Sequence, residues 1–271
     1  MKHLDIEEVF KFHIVFDELE IKRAYYDIFE AIEAEILGNF SSLRAMFDFD
    51  ELTNMALEKL AFSDRKILNL NKIMPRILAS KIYSRLFKAG LISLEPSREI
   101  RLRGQKYQRL KRQDRRYVVQ DKVHFCSHFV RFWFRFIQPN LKELEAGDKM
   151  AVMSKIRAGF DEYASLGFEL LGAEYLAKNG ALNVNSFWHK NIELDMLGVI
   201  DDKIVVGEAK YKSKKVCKNV LNMVLSKCAK LGINPWRVVL FSKSGFSNEL
   251  VNLKDERVWL VDIKDMTELL K

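Results

Sequence analysis

Apolar residues recur at intervals of three and four along the first half of the chain, then alternate or run together in the second half. Ile28, Ile32, Ile36 and Leu37 fall on one stripe, so residues 25–37 are expected as an amphipathic packing helix. Leu52, Met55, Ala56 and Leu60, then Ile67 and Leu70, continue the helical spacing, with Ser63-Asp64 as turn and cap. The next helix should bury Ile73, Ile77, Leu78, Ile82, Leu86 and Phe87, expose Lys72, Arg76, Lys81, Arg85 and Lys88, and end at Gly90. A short strand over 91–96, stopped by Pro96, follows. Helix, turn, helix and strand is the order of a winged helix.

Residues 125–137 are dense in aromatics. Phe125, Phe129, Phe132, Trp133 and Phe136 sit at helical spacing, as expected of a helix buried between domains. His124, Cys126 and His128 lie close together there. A metal needs three or four converging ligands, and this face offers no further one, so core and capping roles are expected for them. Residues 155–178 read as one long helix with a break near Gly167, closed by Asn179-Gly180. Strands are expected over 182–188, 192–197 and 204–211, the last two joined by the tight turn Asp201-Asp202-Lys203. A helix over 216–231, a buried strand over 236–242, a short helix over 246–250, a strand over 258–262 and a closing helix complete a mixed sheet with helices on its faces.

Composition narrows the classes. The 271 residues are 48% hydrophobic and 30% charged, with four prolines, which excludes a disordered or Pro-rich chain. Three cysteines without a C-x-x-C pair argue against a disulfide framework. No apolar run approaches a membrane span, and acids stand where a signal peptide needs an apolar stretch. A soluble, cytoplasmic protein with no membrane partner is expected.

The net charge of +8 is concentrated in one place. Arg98, Arg101, Arg103, Lys106, Arg109, Lys111, Arg112, Arg115 and Arg116 face only Glu99 and Asp114 over 98–116. Such a segment can lie along nucleic-acid phosphates without reading bases. It can equally be a solvated hairpin, or a surface for an acidic partner protein.

The candidate chemistry lies in the strands. Alternation puts Glu193 and Asp195 on one face, and Glu208 and Lys210 share a face of the next strand. The hairpin therefore brings Asp195 near Glu208 and Lys210. Two carboxylates can hold Mg²⁺ or Mn²⁺, which polarises a phosphate and lowers the pKa of bound water. Lys210 can orient that water or neutralise charge developing on the phosphate. Glu169, on the preceding helix, can complete the metal shell or interact with Lys210. Acid-x-acid and acid-x-Lys faces also occur on ordinary solvated sheets.

In their order, Asp121-Lys122-Val123-His124-Phe125, residues 132–140, Gly167-Phe168-Glu169, Glu193-Leu194-Asp195 and Glu208-Ala209-Lys210 resemble the DUF234 region at the C-terminus of archaeal-type, DEXX-box AAA+ ATPases. The second half resembles the PD-(D/E)xK nuclease superfamily. The resemblance covers about residues 60–262. It implies Glu169 as the helix acid, Asp195 as the metal-binding aspartate, and Glu208 with Lys210 as the E-x-K half. Leu194 stands where that motif has proline. The family's P-loop is missing, because G-x-x-x-x-G-K-[ST] occurs nowhere in the chain, so a separate P-loop ATPase is an expected partner.

The expected organisation is an α/β chain with a helical, winged-helix N-terminal half and a restriction-endonuclease-like mixed sheet. Its parts are a helical segment (1–50), a winged-helix domain with a basic wing (51–116), an aromatic helical linker (117–154) and a nuclease-like domain (155–271). The expected function is metal-dependent DNA cleavage. The alternatives are a non-enzymatic winged-helix DNA-binding module and a protein-interaction subunit.

Overall fold

A computed structural model describes residues 4–17, 19–21, 23–62, 65–99, 109 and 117–270. Contacts divide the chain into two compact units. One joins the chain up to Glu95 to Lys122–Gly167, and the other joins Pro96–Asp121 to Phe168–Leu269. The N-terminal region is helical, and a mixed β-sheet flanked by helices follows it.

Three early helices of the first unit, α1, α2 and α4, start where a carboxylate accepts orphan amide donors. Helix α1 (Ile6–Phe16) is capped by Asp5. Asp27 caps α2 (Ile28–Ala31), which runs on as a π-helical turn over Ile32–Leu37. That cap explains why the helix begins at Ile28 rather than at Tyr25, while Ile28, Ile32, Ile36 and Leu37 are buried as the stripe requires. Helix α3 (Phe40–Arg44) and α4 (Glu51–Phe62) follow, with Asp50 accepting from the Thr53 amide and hydroxyl. A 3-10 turn (Ile67–Lys72) leads to α5 (Arg76–Lys88).

Two positions of α5 differ from expectation. Ile73 lies before the helix and Ile77 is 76% exposed. Pro75 sets the start, and the buried stripe of Ile82 and Leu86 runs back through Ala79, which turns Ile77 to the other side. The expected cations Lys72, Arg76, Lys81, Arg85 and Lys88 are all exposed. Strand β1 (Ile92–Glu95) pairs antiparallel with β2 (Lys122–Phe125).

The aromatic segment forms α6 (His128–Phe132), a π-helical turn (Trp133–Ile137) and a 3-10 turn (Gln138–Asn140). Phe129, Phe132, Trp133, Phe134, Phe136 and Ile137 are all buried. The Asp17 carboxylate accepts from the His128 and Phe129 amides and caps α6 across a long stretch of sequence. The nearby metal-ligating types do not converge: His124 meets Glu95, Cys126 is exposed, and His128 lies edge-on to His13. Helix α7 (Leu141–Glu145) precedes α8 (Lys149–Lys178), which runs unbroken through Gly167. A Cβ at Gly167 would come within 2.6 Å of Ile14 Cγ2, so glycine serves close packing there and not a break.

The second unit is a five-stranded sheet in the order β3 (Leu182–His189), β4 (Ile192–Ile200), β5 (Lys203–Lys210), β6 (Arg237–Ser242), β7 (Val258–Asp262). The first three strands are antiparallel, and β5, β6 and β7 are parallel. Asp201 and Asp202 both have positive φ and close the β4–β5 hairpin in the twist-matched manner. Parallel pairing of β5 and β6 requires a crossover, supplied by α9 (Lys218–Leu231). Gly232, at φ +68°, ends α9 in the left-handed region. Leu221, Val224 and Cys228 of α9 pack on Leu194, Val206, Val238 and Leu240. On the other face, Gly172 of α8 approaches Met196 and Phe241. The short helix α10 (Asn248–Val251) places Leu250 against the α9-side core.

Candidate active site

The β4–β5 ladder runs as far as Met196 opposite Gly207. One step further, Asp195 reaches over β5 and its Oδ2 accepts the Ala209 amide at 2.9 Å. Glu208 and Lys210 flank Ala209 and point to the α9 side, where alternation puts Val206 and the apolar core. The carboxyl ends of adjacent parallel strands are where open α/β sheets bind ligands. The cluster stands at that end of β5.

Glu208 is 2% exposed, so its charge needs compensation. Two ammonium groups supply it. Lys210 Nζ contacts Oε1 at 2.6 Å. Lys227 Nζ, from α9, contacts Oε1 at 3.2 Å and Oε2 at 2.9 Å. Lys210 Nζ also lies 3.9 Å from Asp195 Oδ2. Burial, then the neighbouring Glu208 charge, push the Asp195 carboxyl up to about 6. Burial pulls the Lys210 ammonium down, but Glu208, Asp195 and Glu169 outweigh it and hold its pKa above the ordinary value.

Asp195, Glu208 and Lys210 are therefore in mutual reach. Glu169 acts on Lys210 electrostatically. Strand motifs do not reveal Lys227. Its signal is weak: a lysine three residues after Val224 and beside Cys228, at the margin of an apolar helix stripe.

The donor set suits a hard divalent cation in type, with two carboxylates and no soft ligand. Among the described residues no group of three or more His, Cys, Asp or Glu side chains could hold a metal. Mg²⁺ is often bound by one or two carboxylates, with water and substrate phosphate completing the shell. Asp195 and Glu208 match that mode in donor type, although both Glu208 oxygens already receive the Lys210 and Lys227 ammonium groups.

The basic segment is described only in part. Arg101, Arg103, Lys106, Lys111, Arg112, Arg115 and Arg116 lie outside the described residues. Arg109 is exposed. Arg98 turns into the second unit: its guanidinium donates to the carbonyls of Asn183, Asn185, Ser186 and Leu197. Beside it, buried Glu99 receives the Tyr117 hydroxyl and meets His189 Nδ1 at 2.6 Å. These contacts hold Arg98, Glu99 and Tyr117 against β3, β4 and the turn between them. Among the described residues no helix is long and apolar enough to cross a membrane.

The family described as "DUF234: Archaea bacterial proteins of unknown function" matches residues 133–220, a stretch that contains Glu169, Asp195, Glu208 and Lys210. A curated relative, the uncharacterized protein MJECL04 of Methanocaldococcus jannaschii, is 28% identical over 110 residues, covering 37% of this chain. The chain spans only 23% of the length of that relative. Among solved structures, Can2 from Sulfobacillus thermosulfidooxidans in complex with cyclic tetra-adenylate overlaps 89% of this chain and 53% of its own. The TM-score is 0.28 and the identity 13%, so fold and function rest on this chain's own residues.

Proposed function

We propose that the second unit hydrolyses phosphodiester bonds in DNA, with Mg²⁺ or Mn²⁺ held by Asp195 and Glu208. One observation carries the reading. Two carboxylates and a lysine meet at the carboxyl end of β5, with Asp195 held near pKa 6 by burial and by its acidic neighbour. When bound, the ion would polarise a phosphate oxygen and acidify a water molecule.

The chain's own residues do the rest. Above about pH 6 Asp195 is ionised and can ligate. Lys210 stays cationic and can orient the attacking water or offset charge growing on the phosphate. Glu169 supports that charge. Lys227 fixes the Glu208 carboxylate from the helix side. The winged-helix order of α4, α5, β1 and β2 and the basic segment 98–116 supply duplex contacts in this reading. A separate P-loop ATPase is its proposed protein partner.

Lys227 favours a second reading. An acid with both oxygens on ammonium groups can be a closed ion-pair network with no metal role, and the chain would then be a non-enzymatic DNA-binding module. Calorimetry with Mn²⁺, beside plasmid nicking in the same buffer, separates the two. Binding and nicking that both disappear in Asp195→Ala/Glu208→Ala support the nuclease. A parent protein that binds DNA but neither binds Mn²⁺ nor nicks supports the second reading.

A further inference from the structure

The region after the E-x-K strand carries its own charge anomaly. From Ala209 to Asn248 the chain has eight lysines and one arginine and no acidic residue. Much of that charge lies at one place. Lys212, Lys214 and Lys215 follow Lys210 directly and are exposed. Among the described residues none of the three forms an ion pair.

The loop that carries them is laced to the loop after β6. Lys210 lies opposite Ser242 in the parallel ladder, and the Lys243 amide donates to the Lys210 carbonyl at 3.2 Å. Ser244 Oγ donates to the Lys212 carbonyl at 2.8 Å. The Val216 amide donates to the Gly245 carbonyl at 3.0 Å, and the Ser247 amide to the Val216 carbonyl at 2.9 Å. Lys243 Nζ stands 4.3 Å over the ring of buried Tyr211. Two loops at the carboxyl ends of β5 and β6 are thus tied into one lip that starts at Lys210. Lys212, Lys214 and Lys215 are near neighbours in sequence with no acid in that stretch, and like charges so placed repel one another, an arrangement relieved by a polyanion.

We infer that this lip is a phosphate-backbone docking surface, on which Lys212, Lys214 and Lys215, with Lys243 beside them, hold a nucleic-acid strand as it leaves the Asp195–Glu208–Lys210 cluster. It rests on the proposed nuclease reading for what the strand is doing there, and it adds contacts separate from residues 98–116. Lys212 is two residues beyond Lys210, and the Lys243 amide meets the Lys210 carbonyl, so the lip begins at the proposed cleavage cluster. Lysine suits this role as a point charge without base preference.

The test uses the full chain with Asp195→Ala/Glu208→Ala as background, so that binding is read without cleavage. Anisotropy of a labelled oligonucleotide duplex is followed against salt. Lys212→Ala/Lys214→Ala/Lys215→Ala should weaken binding at every sequence tried and reduce the log–log salt slope by about 2 to 3. A control, Lys142→Ala/Lys149→Ala/Lys254→Ala, removes the same charge from other exposed positions and should change far less. Equal loss in both variants, or no loss in the lip variant, overturns the lip. Lip-dependent binding to polyglutamate with none to the oligonucleotide also overturns it, in favour of an acidic protein. Lip-dependent oligonucleotide binding by a parent chain that never nicks plasmid leaves the lip standing and removes the nuclease reading alone.

Discussion

The Lys227 ammonium on α9 spans both oxygens of Glu208 on β5, at 2.9 and 3.2 Å, so a helix of the crossover and the E-x-K strand share one buried charge pair. Removing Lys227 leaves the Lys210 ammonium, at 2.6 Å, to offset the Glu208 charge. Lys227→Met should destabilise the protein by about 1–3 kcal/mol, less than a fully buried pair because Lys227 keeps some solvent contact. Urea denaturation of Lys227→Met, Glu208→Gln and the double variant measures it. Additive losses would show that the two side chains are not coupled.

Asp195 predicts a pH effect with a definite sign. Its carboxyl is pushed up to about 6 in the folded chain and reverts to about 4 when unfolded. Its contribution to stability is therefore fully present below about pH 4 and is lost as pH rises through about 6. Asp195→Asn keeps an acceptor for the Ala209 amide and removes the charge. The variant should melt higher than the parent at pH 8, with the gap closing at pH 5. Thermal denaturation at the two pH values checks this, and cation binding should fail below about pH 6 for the same reason.

Lys210→Ala should lower plasmid nicking by about two orders of magnitude or more while leaving duplex affinity within a few-fold. Parallel nicking and anisotropy measurements on one preparation decide it. A loss confined to affinity would move Lys210 from the chemistry to docking.

Gly167→Ala improves helix propensity by about 1 kcal/mol yet sets a methyl against Ile14 Cγ2 at 2.6 Å. A net loss of roughly 1–2 kcal/mol is expected. Ile14→Leu, which lacks the branching methyl, should recover part of it when combined with Gly167→Ala. Melting of the single and double variants tests the contact.

Much of the sheet unit is legible in the sequence because its signals are local. Alternation in β4, the paired aspartates of its turn and the apolar run of β6 each depend on neighbours in sequence. Strand order and one tight turn set Asp195, Glu208 and Lys210 near one another, although alternation breaks between Leu194 on the α9 side and Met196 on the α8 side. Lys227 is hidden because its partner is 19 residues away, on another element. The lysines of the lip are hidden for a different reason. Lys212, Lys214 and Lys215 are near neighbours in sequence, but Lys243 lies on another loop, and the parallel pairing of β5 with β6 sets it beside them. Ile77 misleads because periodicity gives a stripe but not its phase, which Pro75 sets. The π-helical turns at Ile32–Leu37 and Trp133–Ile137 leave no trace in a three-and-four count.

Arg98 has a consequence for synthesis. The carbonyls that receive its guanidinium belong to residues 85 to 99 positions later in the chain. At ribosomal speed they emerge roughly 4 to 20 s after it. Throughout that interval the residues around Arg98 are outside the ribosome without the strands they belong to, while α6 and the first half of α8 can already gather on the helices made before them. Codon choice over residues 100–183 should therefore change the yield of folded protein more than equal changes near either end.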